Sequence, residues 1–144
     1  MRHLKVLLMI LCVAAFLPAC NKEETIPTHP SPDWTINMPS QYEGSMSAIV
    51  TIPDSSFVAG HIDDKLSAFI NGECRGIGQV VELGTNVYYM IIKANENETG
   101  QITFMYYSAT NNYLYTTKPL VAFSMLESFG TADAPQELPL EVVK

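Results

Sequence analysis

The dipeptide Asn71-Gly72 stands between two β-rich runs, residues 66–70 and 73–81, and constrains the fold more than any other feature of the chain. Both central positions of a two-residue type I′ turn need positive φ, which Gly adopts freely and Asn tolerates. A hairpin closed this way sets Ile70 opposite Glu73, Phe69 opposite Cys74 and Ala68 opposite Arg75. Phe69 and Cys74 are then expected to point into the core. Glu73 and Arg75, two apart on one strand, are expected to form a charge pair on the solvated side.

The rest of the chain repeats this theme. Residues 45–52 alternate, with Met46, Ala48, Val50 and Ile52 on one face, and Pro53-Asp54 stops the run. Further β-rich runs cover residues 87–94, 101–109, 113–117 and 120–126, with turns at 95–100 and 110–112. No segment places apolar residues at sustained helical spacing. Pro135 and Pro139 confine any strand of the tail to a sheet edge. The expectation is an all-β domain over residues 34–144, an immunoglobulin-like β-sandwich of about 7–9 strands, with a small β-barrel as the alternative.

A different pattern governs the first residues. Arg2 and Lys5 precede an apolar run, residues 6–16, too short for a spanning helix, and Leu17-Pro18-Ala19-Cys20 follows. This arrangement resembles the lipobox that ends a bacterial lipoprotein signal peptide. The resemblance implies removal of residues 1–19 and attachment of acyl chains at Cys20, which anchors the protein to a membrane. Asn21-Lys22-Glu23-Glu24 in turn resembles the surface-export tether of Bacteroidetes lipoproteins, so Lys22, Glu23 and Glu24 imply display on the outer face of the outer membrane. Residues 20–33 read as a lipidated linker stiffened by Pro27, Pro30 and Pro32, reaching roughly 45 Å when extended.

Composition narrows the partners. Beyond the leader, six scattered Lys and Arg (Lys22, Lys65, Arg75, Lys93, Lys118, Lys144) face fifteen Asp and Glu. Such a chain lacks the basic footprint that nucleic acid needs, and its acyl chains rather than charge would hold it to lipid. With Cys12 in the leader and Cys20 lipidated, Cys74 has no cysteine left to pair with and reads as a structural thiol.

The stretch Asp64-Lys65-Leu66-Ser67-Ala68-Phe69-Ile70-Asn71-Gly72-Glu73-Cys74-Arg75-Gly76-Ile77-Gly78, with Ile102-Thr103-Phe104-Met105-Tyr106-Tyr107 downstream, resembles a module of Bacteroidetes surface lipoproteins and secreted multidomain proteins. Its Gly-Glu-Cys-Arg-Gly core is the specific part. Ser67 and Gly78 stand where that pattern has Ala. The resemblance implies a β-sandwich at the cell surface and carries no enzyme activity with it.

Residues able to do chemistry are few and scattered. His29 falls in the linker and is expected to be solvated; His61 lies beside Asp63 and Asp64, without the spacing of a zinc site. Asp54, Asp63 and Asp64 match no calcium loop, so neither a metal nor another cofactor is expected. Aromatic residues give the one hint of a ligand. Trp34 and the pairs Tyr88-Tyr89, Tyr106-Tyr107 and Tyr113/Tyr115 must include outward-facing rings, because adjacent strand residues point to opposite sides. Trp34, Tyr113 and Tyr115 are the candidate binding residues, for a glycan or a surface protein, in a non-catalytic binding or structural module.

Overall fold

The computed structural model describes residues 25–144. Cys20, Lys22, Glu23 and Glu24 lie outside the described residues. In chain order the strands are β1 (Gly44–Thr51), β2 (Lys65–Ile70), β3 (Glu73–Ile77), β4 (Gln79–Val80), β5 (Val87–Ala94), β6 (Gln101–Ser108), β7 (Tyr113–Thr116), β8 (Val121–Ala122), β9 (Ser128–Phe129), β10 (Gln136–Glu137) and β11 (Glu141–Val142). One sheet has the order β10-β1-β5-β4, with β9 also on β1; the other has the order β11-β7-β6-β2-β3, with β8 on β6. The two sheets face each other without closing, so the domain is a β-sandwich and not a barrel.

The described strands number eleven, more than the sequence suggested, because five of them (β4, β8, β9, β10 and β11) are only two residues long. Such short pairings leave no periodicity to read. The run expected over 120–126 keeps only β8. In the tail, β10 and β11 sit at sheet edges, as the prolines require.

The core follows from alternation. Met46, Ala48, Val50 and Ile52 are buried from β1 and its end, Tyr88, Met90 and Ile92 from β5, and Ile102, Phe104 and Tyr106 from β6. Tyr106 meets Tyr88 across the sandwich, edge to face at 6.3 Å.

Asn71 and Gly72 both have positive φ, 51° and 81°, and close the β2–β3 hairpin as expected. The register then breaks. Ile70 pairs with Glu73 and Phe69 with Cys74, but Ala68 pairs with Gly76, so Arg75 is the extra residue of a β-bulge and not the partner of Ala68. Leu66, Ala68 and Ile70 face the core, while Phe69 and Cys74 are only half-buried, on the outer face. Their expected inward orientation is therefore reversed, because the pleat of β2 is set by its pairing with β6, where Ala68 lies opposite Phe104.

After the bulge the chain changes sheets: β3 belongs to the β2 sheet and β4 to the β5 sheet. The crossing brings backbone close to backbone. A Cβ on Gly76 would stand 3.1 Å from the Ile91 carbonyl oxygen and 3.2 Å from the Ile92 side chain. Glycine is needed there for its missing side chain.

The segment 25–37 has no helix or strand, but it is docked onto the sandwich. The His29 N–H donates to the Asn112 carbonyl at 2.8 Å. Lys65 Nζ donates to the Pro32 carbonyl at 2.6 Å, and Trp34 packs edge-on against Phe69 at 5.7 Å. His29 is accordingly half-buried rather than solvated, with its Nε2 shut off from water. The outer face of β2 acquires a cover that alternation alone does not foresee, and Ser67 beneath it is buried.

Candidate functional site

Three places gather polar or aromatic groups. The first is centred on Arg75. Bulging turns its side chain toward the gap between the sheets, where it is 7% exposed. Its guanidinium donates to both carboxylate oxygens of Glu98, to Glu73 Oε2 at 2.9 Å and to the Lys93 carbonyl of β5 at 3.4 Å. The Tyr42 ring lies 4.3 Å beneath it. The Glu73–Arg75 pair expected from spacing exists, but Arg75 is buried and not on a solvated face. Arg75 also holds the Glu98 carboxyl below its ordinary value. With its charge neutralised and both terminal nitrogens engaged, while the buried Nε–H has no partner, this cluster acts as an edge clasp.

A second group stands at the end of the sandwich formed by loops 52–64, 81–86 and 109–112. Asp64 Oδ1 accepts from the Ala109 N–H at 2.8 Å, and Oδ2 accepts from the His61 N–H at 3.0 Å and from Tyr106 Oη at 2.9 Å. Burial and this carboxylate push the Tyr88 phenol up to about 12, and burial raises Tyr106 further still. Asp64 thus pins two loops to the buried Tyr106. His61 Nδ1 accepts from the Asp63 N–H, a local turn contact. Among the described residues no three His, Cys, Asp or Glu side chains stand close enough together to hold a metal ion.

The third is a groove of about 360 Å³ beside β4 and β5, lined by Ile36 from the docked segment, Pro39 from the short 3-10 turn Pro39–Gln41 that follows it, Ile77 and Gln79 from the crossover, and Tyr89, Ile91 and Lys93 from β5. Alternation explains its aromatic: Tyr88 faces the core, so Tyr89 faces out, 39% exposed. Gln79 and Tyr89 are directly opposite across the β4–β5 pair, which places an amide beside the ring.

The aromatic residues singled out from the sequence do not come together. Tyr115 is buried and packs against Tyr106 at 5.9 Å, and Tyr113, on the same face of β7, packs against the core. Neither offers a flat exposed ring, because β7 presents that face to the opposite sheet. Trp34 is half-buried against Phe69. Tyr107 is buried too, its hydroxyl donating to Asn112 at 2.7 Å. Tyr89 was legible only as one member of an adjacent pair, since its exposure depends on which side the core takes.

Cys74 is half-buried, its thiol donating weakly to the Gly76 carbonyl at 3.8 Å. Burial pushes its pKa up, away from the thiolate. No family model, curated protein or solved structure matches the chain.

Proposed function

We propose that the protein is an outer-membrane lipoprotein, held by acyl chains on Cys20 and displayed at the cell surface through Lys22, Glu23 and Glu24, that works as a non-catalytic binding module. The lipobox and export tether support the address. The observation that carries the binding role is the groove at Tyr89: an outward ring on a rigid central strand, with Gln79 and Lys93 beside it. A flat ring flanked by hydrogen-bonding groups fits the apolar face and hydroxyl rim of a saccharide. The groups that chemistry would otherwise recruit are engaged in structure: Asp64 in loop contacts, Arg75 with Glu98, and the Cys74 thiol away from its reactive form.

The test is a saccharide array probed with the wild-type protein and with Tyr89→Ala. Binding by the wild type that Tyr89→Ala loses, with thermal stability unchanged, supports the reading. Saccharide binding retained in Tyr89→Ala removes the groove from it. Protease accessibility on intact cells, compared between wild type and a Lys22→Ala, Glu23→Ala, Glu24→Ala variant, tests the address.

A further inference from the structure

The groove beside β4 and β5 holds a positive charge that nothing in the fold uses. Among the described residues, every other Lys or Arg side chain has a partner: Lys65 donates to the Pro32 carbonyl, Arg75 pairs with Glu73 and Glu98, Lys118 meets Glu141 at 3.5 Å, and Lys144 is engaged as well. The Lys93 ammonium alone has no hydrogen bond or ion pair among them, although Asp and Glu outnumber Lys and Arg by fifteen to eight over the whole chain. No acidic side chain lines the groove, so Lys93 is its one charged group.

Strand alternation places that charge in line with the exposed ring. Tyr89, Ile91 and Lys93 share the outward face of β5, while Tyr88, Met90 and Ile92 enter the core. Tyr89 and Lys93 are four residues apart, so their backbones stand about 13 Å from each other, and the four-carbon stem of Lys93 can close about half of that. Across the sheet, β1 sets Ser47 opposite Ile91 and Ser45 opposite Lys93, and neither serine hydroxyl is hydrogen-bonded among the described residues. The outward face thus runs from a ring with its amide neighbour Gln79, over the apolar Ile91, to an ammonium flanked by a hydroxyl.

We propose that the groove takes an acidic saccharide, with one sugar ring stacked on Tyr89 and an anionic substituent, a uronate carboxylate or a sulfate ester, meeting Lys93. The proposal rests on the saccharide reading of the groove and adds the charge of its ligand. Acidic substituents project from the edge of a sugar ring and leave its apolar face free, so stacking and charge pairing do not compete. The acidity of the whole protein opposes an anion only weakly here, because salt screens charges beyond about 8 Å at physiological ionic strength. A single exposed pair adds modest affinity, so Lys93 selects among saccharides more than it holds them.

The experiment titrates the full chain, purified in a polyoxyethylene detergent, with matched probes: oligogalacturonate and oligomannuronate against their methyl esters, and sulfated against unsulfated maltohexaose. Wild type is compared with Lys93→Gln, Lys93→Arg and Tyr89→Ala. The expected result is severalfold tighter binding of the charged member of a pair, a preference that Lys93→Gln abolishes, Lys93→Arg keeps and added NaCl weakens. The pair that shows it tells carboxylate from sulfate. Equal binding of charged and neutral members, lost in Tyr89→Ala, overturns the acidic ligand and leaves the saccharide reading standing. A charge preference that survives in Lys93→Gln also overturns the proposal, because recognition of the anion then lies elsewhere. Absence of binding to these probes and to every member of the saccharide array overturns both.

Discussion

Arg75 and Glu98, 23 residues apart in sequence, meet through both carboxylate oxygens at 2.8 and 2.5 Å, with Arg75 on β3 and Glu98 in the turn that carries the chain from β5 to β6. Such a forked pair joins a strand of one sheet to the connection between the two, and Glu98 also accepts from the Asn95 N–H at 3.2 Å. The pair is mostly removed from water, at 7% and 14% exposure, so its loss leaves a buried guanidinium with the exposed Glu73 as its remaining carboxylate partner.

Glu98→Ala is accordingly expected to lower the unfolding free energy by about 3 kcal/mol, the cost of breaking a buried ion pair from one side. Urea denaturation followed by tryptophan fluorescence measures it. A change no larger than that of an exposed substitution such as Glu96→Ala would mean that Glu73 alone suffices for Arg75.

Acid should act through the same carboxylate. Its pKa is lower in the folded protein than in the unfolded chain, chiefly through its hydrogen bond with Arg75, so its contribution is fully present above the ordinary carboxylate value. That contribution is lost as pH falls toward the folded value. Wild-type stability should therefore drop across this acidic window more steeply than that of Glu98→Gln, measured by denaturation at a series of pH values.

Cys74 should alkylate slowly. Burial raises the pKa of its thiol, so less thiolate is present near neutral pH than in a free cysteine. Iodoacetamide labelling at pH 8 is expected to lag that of the urea-unfolded chain, and Trp34→Ala, which opens the cover over Phe69, should narrow the gap. Equal rates in native and unfolded protein would contradict this.

Gly76→Ala tests the crossover. The added methyl meets the Ile91 carbonyl of β5, a strand held on both sides, so the crossing must shift. A destabilisation of about 1–3 kcal/mol is expected, in the range for overpacking, read as a fall in Tm by calorimetry.

Asp64→Asn keeps the shape of the side chain but lacks the charge and one set of acceptor lone pairs, while three donors converge on it. Leaving a donor unpaired is expected to cost about 1–3 kcal/mol. Hydrogen exchange at the Ala109 amide should accelerate beyond the global change, reporting local release of the loop end.

Local chemistry made much of the fold legible. Asn71-Gly72 fixes a hairpin because the turn's backbone angles select those residues, and the alternation in β1, β5 and β6 marks the core because a strand has only two faces. The proposal of an apolar leader ending at Cys20 rests on the same kind of local pattern, since signal segments are read as linear sequence.

What the chain alone left open depended on contacts between distant residues. One extra residue at Arg75 broke the hairpin register, and pairing with β6 decided which face of β2 turned inward, so Phe69 and Cys74 went out and Arg75 went in. The aromatic residues followed the same logic: Tyr115 joined the core and Tyr89 took the surface because packing of one sheet on the other, not residue type, assigns each face. The sequence by itself determined the long strands and the hairpin turn, through short-range backbone preferences. Only the tertiary structure decided which rings are free, which charges are buried and where the segment 25–37 docks, because those are set by interactions across a sandwich whose partners lie tens of residues apart.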